Sequence, residues 1–207
     1  MKKRVFVLVD FQNDFVQPDG ALTINNPDLI NRVQKFTDNL QKGMFEEIVL
    51  TADNHFNETY PLTPEAKNYP PHCIHGTEGR KLAVNLKRNI PVGIFYKSST
   101  DMWNEAPNYS MLQQKWADKD VYLAGVLTDV CVKQAMDGFL KRGASVTLFN
   151  DLTQGLSMQT EELLQQPEYA EAVENGQLRQ INSSQFFRRM LLEKKQFHNR
   201  VISNREF

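Results

Sequence analysis

Three side chains able to cleave an acyl bond together stand at the ends of apolar runs. Asp10 follows Val5-Phe-Val-Leu-Val, Lys97 follows Val92-Gly-Ile-Phe-Tyr, and Cys131 follows Tyr122-Leu-Ala-Gly-Val-Leu-Thr-Asp-Val. A thiol can attack a carbonyl carbon, a carboxylate can take the thiol proton, and an ammonium can stabilise the thiolate. The segment around Cys131 reads as a buried strand that breaks at Gly125 and turns tightly, putting the cysteine in the first turn of a helix. The positive end of that helix and its unpaired N–H groups favour thiolate over thiol, and the same groups can hold an oxyanion. A lone cysteine after a strand is more often an inert core residue. The nucleophile reading therefore depends on whether Asp10 and Lys97 reach it.

A parallel sheet would bring them together. Strands buried on both faces read as continuous apolar runs, and ligands of such sheets sit outside the carboxyl ends of the strands. Strands are expected near 4–10, 47–52, 91–96, 120–125 and 145–149, with a weaker one near 178–182. Helices are expected near 28–42, 109–118, 129–142, 160–175 and 184–196. Leu29, Val33, Phe36 and Leu40 recur at helical spacing, as do Val132, Ala135, Met136 and Phe139. Gly43 and Gly143 fall where left-handed helix caps are favoured. The alternation predicts an α/β fold, a single-domain parallel (doubly wound) sheet with helices on both faces. The stretch 56–90 interrupts it: Pro61, Pro64, Pro70 and Pro71 forbid a continuous helix, and a long loop in a compact domain is usually functional.

That loop carries a second kind of chemistry. Asp53 and His55 lie two apart at a strand end, so their side chains point the same way. His72 follows the stiff Pro70-Pro71 pair. A mixed histidine and carboxylate set suits zinc, manganese or iron. The plainer alternative is that Asp53 and His55 cap the strand or pair with each other.

Composition narrows the class. The chain has 207 residues and a net charge of −1, which gives no global attraction to nucleic acid or a membrane surface. No apolar run approaches the roughly 20 residues needed to span a bilayer. Met1-Lys-Lys-Arg leads directly into a strand, and Cys73 and Cys131 are expected to be free thiols in a reducing cytoplasm. The basic, aromatic stretch 186–200 could serve a nucleic-acid or protein partner, but it reads more plainly as an amphipathic helix with Phe186, Met190 and Leu191 on the sheet.

The chain resembles the nicotinamidase branch of the isochorismatase-like cysteine hydrolases. The segments carrying the resemblance are Val9-Asp-Phe-Gln-Asn-Asp-Phe15, Thr51-Ala-Asp-Asn-His-Phe56, Pro70-Pro-His-Cys-Ile-His-Gly-Thr77, Phe95-Tyr-Lys97 and Gly125-Val-Leu-Thr-Asp-Val-Cys-Val132. They follow the family's order, most strongly over 4–155; residues 1–207 are read as one domain, with 184–207 a C-terminal helix and tail. The resemblance implies a catalytic triad of Asp10, Lys97 and Cys131. It implies metal ligands Asp53, His55 and His72 with Glu65 as the fourth, ahead of Glu58; His75 departs from the family pattern and is assigned to the surroundings of the site or the surface, with a place as substitute for either Glu left open. One divalent transition metal is expected, zinc ahead of manganese or iron. A non-proline cis peptide is expected at Val126-Leu127, with the backbone N–H groups of Leu127 and Cys131 as oxyanion hole. Phe15 and Tyr69 fall where the family places rings around a pyridine, and Trp103 or Tyr109 is expected to close the pocket. The activity implied is hydrolysis of nicotinamide, and of pyrazinamide, to the acid and ammonia through a cysteine thioester in NAD salvage. The alternatives are a sister cysteine amidohydrolase for another small amide or ureido compound, and a non-catalytic binding module on the same fold. The partner expected is a small-molecule amide, without nucleic acid or membrane; a homo-oligomer is left open.

Overall fold

The computed structural model describes residues 2–87, 89–105 and 115–203, the last seven of these by backbone alone. Its centre is a six-stranded, all-parallel sheet of β1 (Lys3–Val9), β2 (Glu47–Asp53), β3 (Val92–Lys97), β4 (Lys119–Val126), β5 (Ser145–Gln154) and β6 (Leu178–Ile181), in the order β3-β2-β1-β4-β5-β6. Every expected strand is present. β1 alternates between two cores. Phe6 and Leu8 pack in one core with Val16 of α1 (Asn13–Val16), Phe36 of α2 (Pro27–Asp38) and Phe186 of α6 (Ser183–Ser203). Val5, Val7 and Val9 pack with Met136 and Phe139 of α3 (Lys133–Lys141) and Leu163 of α4 (Thr160–Leu164). Both faces are thus covered, which is why β1 carries no alternating polar positions.

The direction of strand addition reverses at β1: β2 and β3 lie on one side, β4 to β6 on the other. In an open parallel sheet the crevice at such a reversal is where ligands bind. Two backbone features shape it. Asp10 leaves β1 with φ +49°, a left-handed conformation that costs a non-glycine residue energy and is concentrated at functional sites. Beside it, Gly125 has φ +116° and sits so close to Val9 that a Cβ would lie 2.1 Å from the Val9 carbonyl oxygen.

Several expected elements differ. The helix expected over 129–142 opens with a π-helical turn, Thr128–Val132, and becomes α-helical only at Lys133. The expected helix 160–175 is three short pieces, α4, a 3-10 turn at Pro167–Tyr169 and α5 (Ala170–Glu174), because Pro167 has no N–H to continue the first. Of the helix expected over 109–118, residues 115–118 form no helix, and 109–114 with Tyr109 lie outside the described residues. On α6, Phe186 and Met190 are buried as expected, but Leu191 is 60% exposed. Phe187 takes its place against Phe36, so the apolar stripe runs along 186, 187 and 190 and leaves Leu191 past its edge. Among the described residues, the helical turns of the loop between β2 and β3 are two 3-10 turns, Tyr60–Leu62 and Glu65–Lys67. No helix among the described residues is long and apolar enough to cross a membrane.

Candidate active site

Asp10, Lys97 and Cys131 meet at the carboxyl edge of the sheet. Lys97, the last residue of β3, is paired in register with Asp53 at the end of β2. Its ammonium lies 2.8 Å from Asp10 Oδ2, hydrogen-bonds Asp53 Oδ1, donates to the Ser99 carbonyl at 3.0 Å and stands 3.9 Å from Cys131 Sγ. Asp10, Lys97 and Asp53 are each at most 2% exposed and Cys131 is 8% exposed. Thr51, opposite Val9 across β1 and β2, donates its hydroxyl to Asp10 Oδ1 at 2.6 Å and so fixes the carboxylate's rotation.

Burial and this shared cation push the two carboxylates apart. Burial raises the Asp10 pKa above the ordinary aspartate value, and Lys97 only partly offsets it. At Asp53 burial acts in the same direction, but Lys97 and the hydrogen bond to His72 outweigh it and leave the pKa low. Neighbouring acids separated in this way mark a proton carrier and a fixed anion: Asp10 is suited to the first role and Asp53 to the second. Lys97 remains an ammonium, since the two carboxylates overcome its desolvation. The thiol departs from expectation. Burial raises the Cys131 pKa well above its usual value; Lys97 opposes this, and Asp10 and Asp53 reinforce it. This direction favours the thiol, where the helix end and Lys97 were expected to favour thiolate.

Next to the triad, ligand atoms of Asp53, His55 and His72 lie within 4.8 Å of one another. Glu65 joins them: its Oε2 is 3.4 Å from His55 Nε2 and 3.9 Å from His72 Nε2, while His72 Nε2 is 3.6 Å from Asp53 Oδ2. Both Glu65 oxygens and His55 Nε2 are buried without a hydrogen-bond partner. Unpartnered buried atoms are costly unless something binds them, and two imidazoles with two carboxylates make a donor set that fits a divalent transition metal. Burial lowers the His55 pKa to about 4, which keeps the ring neutral as ligation requires. His72 donates Nδ1–H to the Pro70 carbonyl at 2.9 Å, turning Nε2 toward the cluster. The Tyr60 hydroxyl, 3.0 Å from the Tyr69 and Pro70 carbonyls, ties down the same proline segment. Glu58 and His75 are exposed, and His75 instead stacks on Phe56 and bonds the Asn54 side chain.

A cavity of about 330 Å³ opens onto both groups; Cys131, Leu127, His72, Asp53, Glu65, Phe15 and Tyr69 all line it. The Phe15 ring is 5.4 Å from that of His72. The peptide Val126-Leu127 is cis, as expected. Trp103 does not close the pocket. It packs on α3, edge-on to Phe139, donating Nε1–H to the Ala135 carbonyl and stacked under Arg142. Leu22, Thr100, Val130 and Leu156, none of them singled out in the sequence, line the cavity instead. Both cysteines are free thiols, and Cys73 is fully buried.

This fold is that of a known family. The isochorismatase domain family matches residues 4–166, and the chain belongs to it. Among its relatives, the nicotinamidase/pyrazinamidase of Mycobacterium tuberculosis (strain ATCC 25618 / H37Rv) is 29% identical over 170 residues, covering 76% of this chain and 89% of that protein. An uncharacterised isochorismatase family protein of Bacillus subtilis (strain 168) is 32% identical over 151 residues, covering 67% of this chain and 80% of that protein. The crystal structure of a Pyrococcus horikoshii pyrazinamidase in complex with zinc has the same fold, with a TM-score of 0.65 at 24% identity over 87% of this chain and 99% of that one.

Proposed function

We propose that this protein is a nicotinamidase that converts nicotinamide to nicotinate and ammonia, and hydrolyses pyrazinamide in the same way, in NAD salvage. The observation that carries the proposal is the shared cavity: the nucleophile Cys131 and the ligand His72 face one space, walled by the Phe15 and Tyr69 rings. A flat ring bearing a carboxamide can present its carbonyl to sulfur and its ring nitrogen to the metal site. The nicotinamidase/pyrazinamidase of M. tuberculosis supports the same substrate class.

In this reading Asp10 takes the Cys131 proton as sulfur attacks the carboxamide carbon, with Lys97 close enough to offset the charge on sulfur. The backbone N–H groups of Leu127 and Cys131 hold the oxyanion. Asp10 returns the proton to the departing nitrogen, ammonia leaves, and a thioester remains on Cys131. Asp10 then takes a proton from water as its oxygen attacks the thioester, and passes it to sulfur as nicotinate is released. Asp53, His55, Glu65 and His72 would hold a divalent ion, zinc by analogy with the P. horikoshii protein, which when bound supplies a Lewis-acidic partner for the ring nitrogen. Phe15 stacks on the ring, a contact worth about 0.5–1.5 kcal/mol beyond burial.

The test is ammonia release from nicotinamide, pyrazinamide and benzamide. The first two should be hydrolysed, and benzamide, which lacks the ring nitrogen, should be poorer in kcat/KM by about 10²-fold or more. Equal rates for benzamide and nicotinamide would refute the ring-nitrogen contact and move the assignment to a sister cysteine amidohydrolase.

A further inference from the structure

The segment Gln12-Asn13-Asp14 directly follows β1 and Phe11, yet none of its side chains has a role in the chemistry above. Gln12, fully buried, acts on the Asp53 main chain: its Oε1 accepts from the Asp53 N–H at 2.7 Å and its amide donates to the Asp53 carbonyl at 2.8 Å. Asp14 does something different. Its Oδ2 accepts from the Cys73 N–H at 2.6 Å, and its Oδ1 accepts from the Ala21 N–H at 3.1 Å. Its own N–H donates to the Gly79 carbonyl and its carbonyl accepts from the Leu22 N–H, both at 2.9 Å.

Three of those four bonds, to Cys73, Ala21 and Leu22, join two parts of the site that are far apart in sequence. Cys73 follows the ligand His72 directly, has φ +46°, and accepts from the His55 N–H through its own carbonyl at 3.2 Å. Ala21 and Leu22 line the same cavity as His72. The space around Asp14 is also reserved: a Cβ on Gly79 would lie 2.2 Å from its carboxylate atoms.

We infer that Asp14 is a positioning residue that holds the ligand His72 in register and locks it to the substrate-pocket wall at 20–23. The inference rests on the reading of His72 as a metal ligand and is independent of which amide is hydrolysed. An outer residue that orients a ligand typically changes metal affinity by about 10–100-fold. The charged carboxylate is replaceable in part: an asparagine can keep its carbonyl oxygen on the Cys73 N–H while the exposed Ala21 N–H turns to water.

The experiment is zinc affinity by chelator competition on the full chain, with the alkylation rate of Cys131 in the metal-free protein measured alongside. Asp14→Ala should weaken zinc by about 10–100-fold, and Asp14→Asn should recover most of that loss. Gly79→Ala, which displaces the carboxylate without removing it, should weaken zinc in the wild-type background and add little to Asp14→Ala, as expected of coupled neighbours. Cys131 alkylation should stay within about twofold throughout, because Asp14 bonds Cys73, Ala21, Leu22 and Gly79 and none of Asp10, Lys97 or Cys131. Wild-type zinc affinity in Asp14→Ala, full additivity with Gly79→Ala, or a parallel fall in alkylation would overturn the inference alone. Wild-type protein that takes up no zinc would overturn the metal reading together with it.

Discussion

Replacing Lys97 by Met should destabilise the protein far more than the loss of an ordinary ion pair. Lys97 is 2% exposed and is the shared cation of Asp10 and Asp53, themselves 1% and 2% exposed. Met fills much of the volume, so the main consequence is two buried carboxylates without their cation. Stranding a buried charge in this way costs about 3–5 kcal/mol. For a chain of this length that is a fall in melting temperature of about 6–20 °C. The loss should be greatest near neutral pH and shrink in acid, because both carboxylates can then take up protons. Adding Asp10→Asn should restore part of it, since one of the stranded charges is removed. Lys81→Met, which removes an exposed pair with Glu78, serves as control and should stay within about 0.5 kcal/mol. Denaturant unfolding of the chelator-treated proteins provides the measurement. A Lys97→Met loss below about 1 kcal/mol would refute the picture of one buried cation holding two anions.

Two further outcomes follow from the same geometry. Protein prepared without added chelator should carry about one equivalent of transition metal per chain, and His55→Ala or His72→Ala should lose it by elemental analysis; full metal content in both variants would exclude the proposed ligands. Asp129 accepts from the Leu156 N–H and from the Ser157 N–H and hydroxyl, and these bonds, working against burial, hold its pKa below the ordinary value. Its folded pKa is depressed, so its contribution is complete above the unfolded carboxylate value and is lost as pH falls through the folded one. Asp129→Asn should thus cost about 1 kcal/mol near neutral pH and nothing in strong acid, a difference read from unfolding curves at the two pH values; a pH-independent difference would contradict it.

Asp10, Lys97 and Cys131 were legible as a group because a parallel sheet writes its strands as apolar runs and collects at one edge whatever residues end them. Asp53, His55 and His72 were legible through spacing and through the prolines that stiffen the loop. Glu65 needed the family resemblance, since nothing in its neighbourhood distinguishes it from Glu58 before the 3-10 turn at 65–67 points it inward. The direction of the Cys131 pKa shift was not legible: it depends on burial and on the carboxylates around the sulfur, and one of them, Asp53, stands in the neighbouring cluster with His55 and His72. Thr51, Gln12 and Asp14 escaped for another reason. Each acts on a partner remote in sequence, 41 positions away for Thr51 with Asp10 and for Gln12 with Asp53, and 59 for Asp14 with Cys73, and such pairings leave no periodic trace. The choice between Trp103 and Tyr109 was not legible because a large ring near Lys97 can serve the pocket or the core equally well, and α3 claims Trp103 through Ala135 and Phe139.

In the proposed reaction Cys131 carries the acyl group of nicotinamide. Rapid acid quench of the enzyme during turnover, followed by mass spectrometry of the peptide containing Cys131, reads this directly. A nicotinoyl thioester should form on Cys131 with nicotinamide and be absent from the Cys131→Ala protein, which should release no ammonia. Steady ammonia release by Cys131→Ala, or an acyl group found on any other residue, would contradict it.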